Sequence, residues 1–418
     1  MRELTFAPLA NFAEITMGQS PASEACNTDN IGLPFLQGCG EFGRRNPETD
    51  TYCFPPLRIG KANAMLISVR APVGTMNYAD KDYCIGRGLA AFKSKPGIAN
   101  DIFLKHAVEQ GIGFLHRRSQ GSTFAAVSSS DIRSFPIPYF SVPKQNAIAA
   151  ILTSSDTAIE RTEVLIAKYQ QIKAGLMHDL FTRGVLPNGQ LRPPREQAPE
   201  LYKKTAIGWM PRGWQYELLD KLAQRGSGHT PNKDRAEYWN GGIKWVSLAD
   251  SHRLDQLYIS DTELQISHKG IQNSSAVQHP AGIVILSRDA GVGKSAITTE
   301  PMAVSQHFMC WKCETKMDNH FLYYWLQHKK QMFENIAMGS TILTIGLPYF
   351  KKLRIACPID LPEQVDIACK LRAADTGIFA FQSDLAKMKK KKLGLMQDLL
   401  TGKVQVKVHE PTLELLHA

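Results

Sequence analysis

The sequence predicts a mixed α/β (α+β) protein written twice: two tandem α/β domains, each followed by a long helix. The two helices are expected to pack as an antiparallel coiled coil with pseudo-two-fold symmetry. Three observations carry this: an internal repeat, a matching helical seam in each half, and short apolar runs broken by turns. Gly121-Ser122-Thr123 returns as Gly339-Ser340-Thr341, 218 residues on. Pro143-Lys144-Gln145 returns as Pro362-Glu363-Gln364, and Gly175-Leu176-Met177-His178-Asp179-Leu180 as Gly394-Leu395-Met396-Gln397-Asp398-Leu399, both 219 residues on. A fixed period of this kind sets the architecture.

Nearer the start of each half the offset is 210, where Gly18-Gln19-Ser20-Pro21 answers Gly228-His229-Thr230-Pro231 and Phe35-Leu36 answers Trp245-Val246. Arg70 and Gly74 answer Arg288 and Gly293 at 218 and 219. The second copy has therefore gained about eight residues between Leu36 and Arg70 or their equivalents. An insertion with both flanks kept is the mark of a variable loop, expected to touch the ligand.

The apolar runs 64–69 and 282–287, bounded by Gly, Pro and Asn, read as strands, and 319–330 reads as a helix. The expected organisation is a first domain over 1–143, a helix over 144–186, a linker over 187–208, a second domain over 209–361, a second helix over 362–404 and a tail over 405–418. The core helical stretches are 144–183 and 363–402, with proline just ahead and glycine near the end. The linker carries Pro193-Pro194 and is followed by Trp209 to Trp214, whereas the first copy opens with a much shorter segment and a less anchored start.

In the second helix apolar residues fall at Ile367, Leu371, Ala374, Ile378, Phe381, Leu385, Met388, Leu395 and Leu399, with one step skipped at Lys392. The first helix repeats this in phase: Ile148, Leu152, Ser155, Ile159, Thr162, Ile166, Tyr169, Leu176 and Leu180, with Lys173 at the skipped step. Alternating steps of four and three form a heptad seam. Antiparallel packing about a dyad near Val164 sets Lys173 opposite Ala374 and Lys392 opposite Ser155, each lysine against a small residue. The run Lys387, Lys389, Lys390, Lys391 and Lys392 reads as a solvated face, with a DNA backbone or an acidic partner as the functional alternative.

Over 418 residues, 43% are hydrophobic and 21% charged, so the chain is globular with room for more than one domain. A net charge of +10 and a pI near 9.1 favour a polyanionic partner without choosing one. The opening 1–18 holds Glu3 and Glu14 and does not resemble a secretory signal. No stretch reaches the ~18 apolar residues of a membrane span, so no membrane partner is expected. The eight cysteines suggest no disulfide framework, and the expected location is cytoplasmic. Cys310 and Cys313 lack a second pair to complete a metal site and read as thiols on a buried strand; no metal is expected. Gly291-Val292-Gly293-Lys294-Ser295 ends like a phosphate loop, but the first glycine that such a loop needs is replaced by Arg288.

Two α/β domains in tandem, each with a long helix, resemble the specificity subunits of type I restriction-modification systems. The phrases Met17-Gly18-Gln19-Ser20-Pro21, Leu33-Pro34-Phe35-Leu36-Gln37-Gly38, Ile67-Ser68-Val69-Arg70-Ala71-Pro72-Val73-Gly74 and Cys84-Ile85-Gly86-Arg87-Gly88-Leu89 are similar too, as are 226–231, Tyr238-Trp239, 243–247 and 361–364. The resemblance implies that the α/β parts are target recognition domains, each reading half of a bipartite, asymmetric site in double-stranded DNA. It implies that the helices set the spacing and dock two methyltransferase subunits, with restriction and translocase subunits in the full complex. A helix of about 40 residues is about 60 Å long, enough to set half-sites about 34 Å apart. No catalytic residue and no cofactor is expected on this chain; S-adenosylmethionine, ATP and Mg would belong to the partners. In agreement, neither Asn-Pro-Pro-aromatic nor Asp-Pro-Pro-aromatic, the tetrapeptides of adenine methylation, occurs. Whether the methyltransferase is separate or fused to a nuclease stays open.

DNA reading needs cations for phosphates and forked donors or acceptors for base edges. The candidates are Gln37, Arg44, Arg45, Asn46, Arg117 and Arg118 in the first domain, and Lys233, Arg235, Lys244, Asp250, His252 and Arg253 in the second. Arg44→Ala or Arg45→Ala is expected to weaken DNA binding more than Arg2→Ala. Arg70 and Arg288 read as residues that hold a turn. The alternative from another class is a duplicated coiled-coil interaction scaffold without DNA specificity. An enzyme using Lys294 on a nucleotide is a further alternative.

Overall fold

The apolar runs of both halves form strands of one repeated sheet. The computed structural model describes residues 4–119, 126–339 and 343–407. It divides into two units, Met1–Val164 with Gln382–Ala418, and Leu165–Phe381. Each unit holds one α/β domain and half of each long helix.

In the first unit four strands lie in the order Ala13–Met17, Leu89–Ser94, Met65–Ser68, Met76–Tyr78, all antiparallel. The second unit repeats the order with Ala223–Ser227, Phe308–Cys313, Val284–Ser287 and Ser295–Thr298, and adds Tyr258–Ile259 in parallel at the edge. Met65–Ser68 and Val284–Ser287 are buried along their whole length, which is why they read as continuous apolar runs rather than as alternation. A helix covers each sheet: Asp101–Gln110, capped by the Asn100 side chain, and Asn319–His328, capped by that of Asp318. The helix expected over 319–330 ends at His328, and a separate one follows over Lys330–Ile336.

A second layer in each domain is built on a parallel strand pair. Leu33–Leu36 pairs with Tyr83–Ile85 through Phe35↔Cys84, and Trp239–Val246 pairs with Met302–Val304 through Trp245↔Ala303. The offset is 210 on the first strand and 219 on its partner, and Ile59↔Cys84 answers Gln278↔Ala303 at 219 on both. The insertion is thus nine residues rather than eight, and it lies between Leu36 and Ile59 or their equivalents. In the second copy this stretch holds the short helices Leu248–His252 and His268–Gln272 and the strand Leu264–Ile266. Gly121-Ser122-Thr123 and Ser340-Thr341 lie outside the described residues.

The domain starts differ as their lengths predict. Phe6–Pro8 pairs over three residues with Pro136–Pro138, whereas Trp214–Leu218 pairs over five with Arg354–Pro358. The preceding linker adds a hairpin, Tyr202–Thr205 with Gly208–Pro211, that its proline content had concealed.

The long helices span Val142–Arg183 and Leu361–Leu400. Pro143 and Pro362 sit inside the first turn, where a missing N–H costs nothing. Two residues on, Gln145 and Gln364 are completely buried and make the same three hydrogen bonds. Gln145 accepts from Asn100 N and donates to the Ile98 and Phe140 carbonyls; Gln364 accepts from Asp318 N and donates to those of Lys316 and Pro358. Every partner is repeated at an offset of 218, so each helix is locked to its own domain in the same way.

Within each unit the two half-helices run antiparallel. In the first, Lys392 reaches Asp156 at 2.8 Å and Thr162 meets Met388 at 3.7 Å. In the second, Lys173 reaches Asp375 at 2.5 Å and Tyr169 stacks on Phe381 at 5.3 Å. Among the seam residues, Ile148, Leu152, Ile166, Leu180, Ile367, Leu371, Ile378 and Leu399 are buried. Ile159, Leu176, Phe381, Leu385, Met388 and Leu395 are half-buried, and Tyr169 keeps an exposed edge. Each lysine at a skipped step meets not the small residue itself but the aspartate next to it. A lysine on an apolar seam needs a counter-charge, and a polar pair at one step fixes register.

Candidate nucleic-acid interface

The parallel strand pair of each domain ends in a turn held from three sides. In the first domain Gly86 N donates to Leu36 O (2.7 Å), Leu89 N to Gly86 O (3.0 Å), Val69 N to Gly88 O (2.9 Å) and Gln19 N to Ile85 O (2.9 Å). In the second, Ser305 N donates to Val246 O (2.8 Å), Phe308 N to Ser305 O (3.1 Å), Arg288 N to His307 O (2.9 Å) and His229 N to Val304 O (3.1 Å). These are the same four bonds. The strand that supplies Gln19 or His229 passes so close that only glycine fits before it: a Cβ on Gly18 would lie 2.1 Å from Gly86 O, and one on Gly228 1.9 Å from Val304 O.

One side chain of each turn is exposed, Arg87 in the first domain and Gln306 in the second; the flanking Gly86, Gly88 and Ser305 are buried and His307 half-buried. Ser20 Oγ accepts from Arg87 N at 3.3 Å and pairs with the Gln37 side chain at 3.1 Å, so Gln37 stands beside Arg87. The Thr230 hydroxyl, equivalent to Ser20, bonds the Gln306 side chain. His307 is fixed by Asp289 at 2.7 Å. Gln37 was legible among polar residues after a strand; Arg87 and Gln306 were not. Their flanks, Gly86 and Gly88 against Ser305 and His307, do not match in sequence, and only the shared backbone bonds show the equivalence.

The other candidates divide by what holds them. Arg44 pairs with Glu163 at 2.9 Å and Arg45 approaches Glu160 at 3.6 Å, both acids lying on the first long helix. Glu163 is also bound by Lys389 at 2.7 Å, and that hydrogen bond, followed by the one from Arg44, holds its carboxyl below the usual range against the effect of burial. Asn46 donates to Tyr78 O at 2.9 Å. These three face a cleft of about 650 Å³ between the domain and the helix, away from Gln37. Arg118 stacks on Phe114, 3.6 Å from the ring centre, and pairs with Asp131 at 3.2 Å; Arg117 is exposed.

In the second domain Lys233 and Arg235 are exposed on the loop after Pro231. Lys244 is held by Glu300 and the Ser260 carbonyl, both at 2.6 Å. Asp250 is completely buried, accepting from Ser247 N (2.9 Å) and Glu263 N (2.8 Å) as the cap of its own short helix. Arg253 binds Glu263 at 2.5 Å, which raises its pKa further, and His252 is exposed, with its Nδ1 on Ala249 O at 3.0 Å. Arg288 holds its turn through the Ile345 carbonyl at 2.9 Å, but the expected equivalence with Arg70 fails: the matched bonds place Arg288 opposite Val69 and Asp289 opposite Arg70, whose side chain is exposed.

Two lures are resolved by position. Cys310 and Cys313 lie three apart on Phe308–Cys313 and so on opposite faces of the strand, and burial pushes both thiols up to about 12. Lys294 lies in the turn of the hairpin between Val284–Ser287 and Ser295–Thr298, donating to Ser251 O at 3.1 Å, and no helix follows as a phosphate loop requires. Among the described residues no helix is long and apolar enough to cross a membrane.

The family described as "Type I restriction modification DNA specificity domain" matches residues 1–168 and 211–387. The chain belongs to this family. It is 36% identical over 171 residues to the putative type I restriction enzyme MjaX specificity subunit of Methanocaldococcus jannaschii, covering 41% of this chain and 40% of that one. Against the MjaIX specificity subunit of that organism it is 26% identical over 200 residues, 47% of this chain and 44% of the relative. The chain thus spans under half the length of these two relatives in each match. The MjaVIII specificity subunit aligns more broadly, 24% identical over 330 residues, 76% of this chain and 74% of the relative. The fold is that of the type I restriction-modification S subunit from M. genitalium, with a TM-score of 0.58 at 14% identity, covering 95% of this chain and 96% of the other. A chain from a structure described as showing complex assembly and conformational transition of the type I R-M system gives the same TM-score and identity over 97% and 99%.

Proposed function

We propose that this specificity-family chain reads a bipartite, asymmetric site in double-stranded DNA, one half-site per α/β domain, and performs no chemistry itself. The observation that carries the reading is one backbone frame used twice under different exposed side chains. Such a pair suits two unlike half-sites, whereas a symmetric ligand would be met by like residues. The recognition domains are assigned to 1–143 and 209–361, the spacer helices to 144–186 and 362–404, with 187–208 as linker and 405–418 as tail. Gln37, Arg117, Lys233, Arg235 and His252 are the proposed DNA contacts among the sequence candidates, because each is exposed and, among the described residues, the nearest carboxylate to any of them is Glu263, 3.8 Å from His252. Arg44, Arg45, Asn46, Arg118, Lys244, Asp250 and Arg253 are assigned to holding the domains' own structure.

The partners of this reading are two methyltransferase subunits docked on the helices, with restriction and translocase subunits beyond them. S-adenosylmethionine, ATP and Mg belong to those chains, and the complex works in the cytoplasm. A duplicated scaffold without DNA specificity would show no salt-dependent duplex binding. Titration of a labelled random duplex from 50 to about 200 mM salt tests this: a reader loses affinity steeply, by about 0.9 in log K per log salt for each phosphate neutralised. A flat response contradicts the reading.

A further inference from the structure

We infer that Arg87 and Gln306 are equivalent base-reading positions of the two domains, Arg87 for a guanine in one half-site and Gln306 for an adenine in the other. This rests on the DNA-reading function proposed above and deepens it. The two turns share four backbone hydrogen bonds, partner for partner, with Ser20 and Thr230 at the same place beneath them. The frame cannot drift, since the approach of Gly18 to Gly86 and of Gly228 to Val304 leaves no room for a Cβ. A side chain raised on such a frame is aimed by the backbone rather than by its own rotamers, and reading a base edge demands that precision.

The backbone frame is kept in both domains while its residues change, from Gly86-Arg87-Gly88 to Ser305-Gln306-His307, and Arg87 and Gln306 are the exposed members. The two side chains are also the two that the major groove pairs with in forked geometry: arginine donates twice to guanine O6 and N7, and glutamine donates to and accepts from adenine N7 and N6. Among the described residues the Arg87 side chain is not tied up in folding. Among the described residues Arg87 forms no ion pair, whereas Arg44, Arg45, Arg118, Lys244 and Arg253 all do. Gln306 accepts from the Thr230 hydroxyl and at 3.5 Å meets the His307 ring, whose other nitrogen is held by Asp289, so its amide fork reaches a base by exchanging these two contacts. Gln37, joined to the same turn through Ser20, supplies a second amide fork in the first domain.

The test is selection from a pool of randomised DNA duplexes by the full chain assembled with methyltransferase subunits. Wild type recovers two half-sites. Arg87→Ala is expected to relax one guanine position in one half-site, with discrimination there falling about 10- to 100-fold, and to leave the other half-site intact. Gln306→Ala relaxes an adenine in the other half, and Gln306→Arg turns that preference toward guanine, an outcome that misfolding cannot mimic. Both alanine variants recovering the wild-type sequence at full strength would overturn the assignment while leaving the DNA-reading function standing. A wild-type chain that recovers no bipartite sequence overturns that function and the assignment together.

Discussion

The buried glutamines at the helix starts give the most quantitative check on how each spacer helix is joined to its domain. Gln364 is fully enclosed and ties together three backbone segments: the cap of Asn319–His328 at Asp318 (2.9 Å), the loop at Lys316 (3.2 Å) and the strand end at Pro358 (2.9 Å). Gln364→Ala deletes all three bonds and leaves their backbone partners without water to replace them. At about 1 kcal/mol net per bond, and about 1 more for the cavity, the loss is about 3–5 kcal/mol. All six tryptophans fall in Leu165–Phe381, so intrinsic fluorescence reports that unit. With a urea dependence of about 3 kcal/mol per molar, the fluorescence midpoint should fall by about 1–1.7 M. Gln145→Ala removes the same three bonds in the other unit, and far-UV circular dichroism should show a comparable loss. A Gln364→Ala midpoint matching wild type would refute the clamp.

Other perturbations test separate parts of the account. Glu363 Oε1 accepts from Trp214 Nε1 (2.9 Å), Val185 N (3.1 Å) and the largely buried Arg192 (3.2 Å). Glu363→Leu strands that guanidinium and should cost about 3–5 kcal/mol, whereas Glu363→Gln keeps an acceptor and should cost clearly less in the same urea titration. Burial alone would raise the Glu109 carboxyl, but the hydrogen bond from His106 and the charges of Lys392, His106 and Lys105 outweigh it and hold the group at about 2. A depressed carboxyl stabilises fully above its unfolded value near ~4.3. That share is lost as pH falls toward about 2, so Glu109→Gln should flatten thermal stability against pH across this window and leave it unchanged in slope above pH 5. Lys233→Ala and Arg235→Ala should each reduce the salt slope of duplex binding by about 1 without altering the sequence recovered in selection.

The repeat was legible because an offset of 219 survives in residues with little surface freedom, such as Gln145 and Gln364. The seam was legible because period 3.5 needs no long-range knowledge. It also placed Lys173 and Lys392 within one residue of Asp375 and Asp156, which pair with them. What stayed hidden depended on partners far along the chain. Arg44 and Lys244 look like surface cations until Glu163 and Glu300 arrive from 119 and 56 residues away. Asp250 looked like a polar loop residue, yet Ser247-x-x-Asp250 is a capping pattern that could have been read locally. Arg87 and Gln306 stayed hidden because their neighbours differ, and only the backbone shows that the turn is the same one in both domains.

Mapping methylated adenines across host DNA, with the chain present and with it deleted, tests the central claim most directly. One bipartite motif, two unlike half-sites with a fixed gap, is expected to vanish with the chain. A methylation pattern unchanged by the deletion would contradict it.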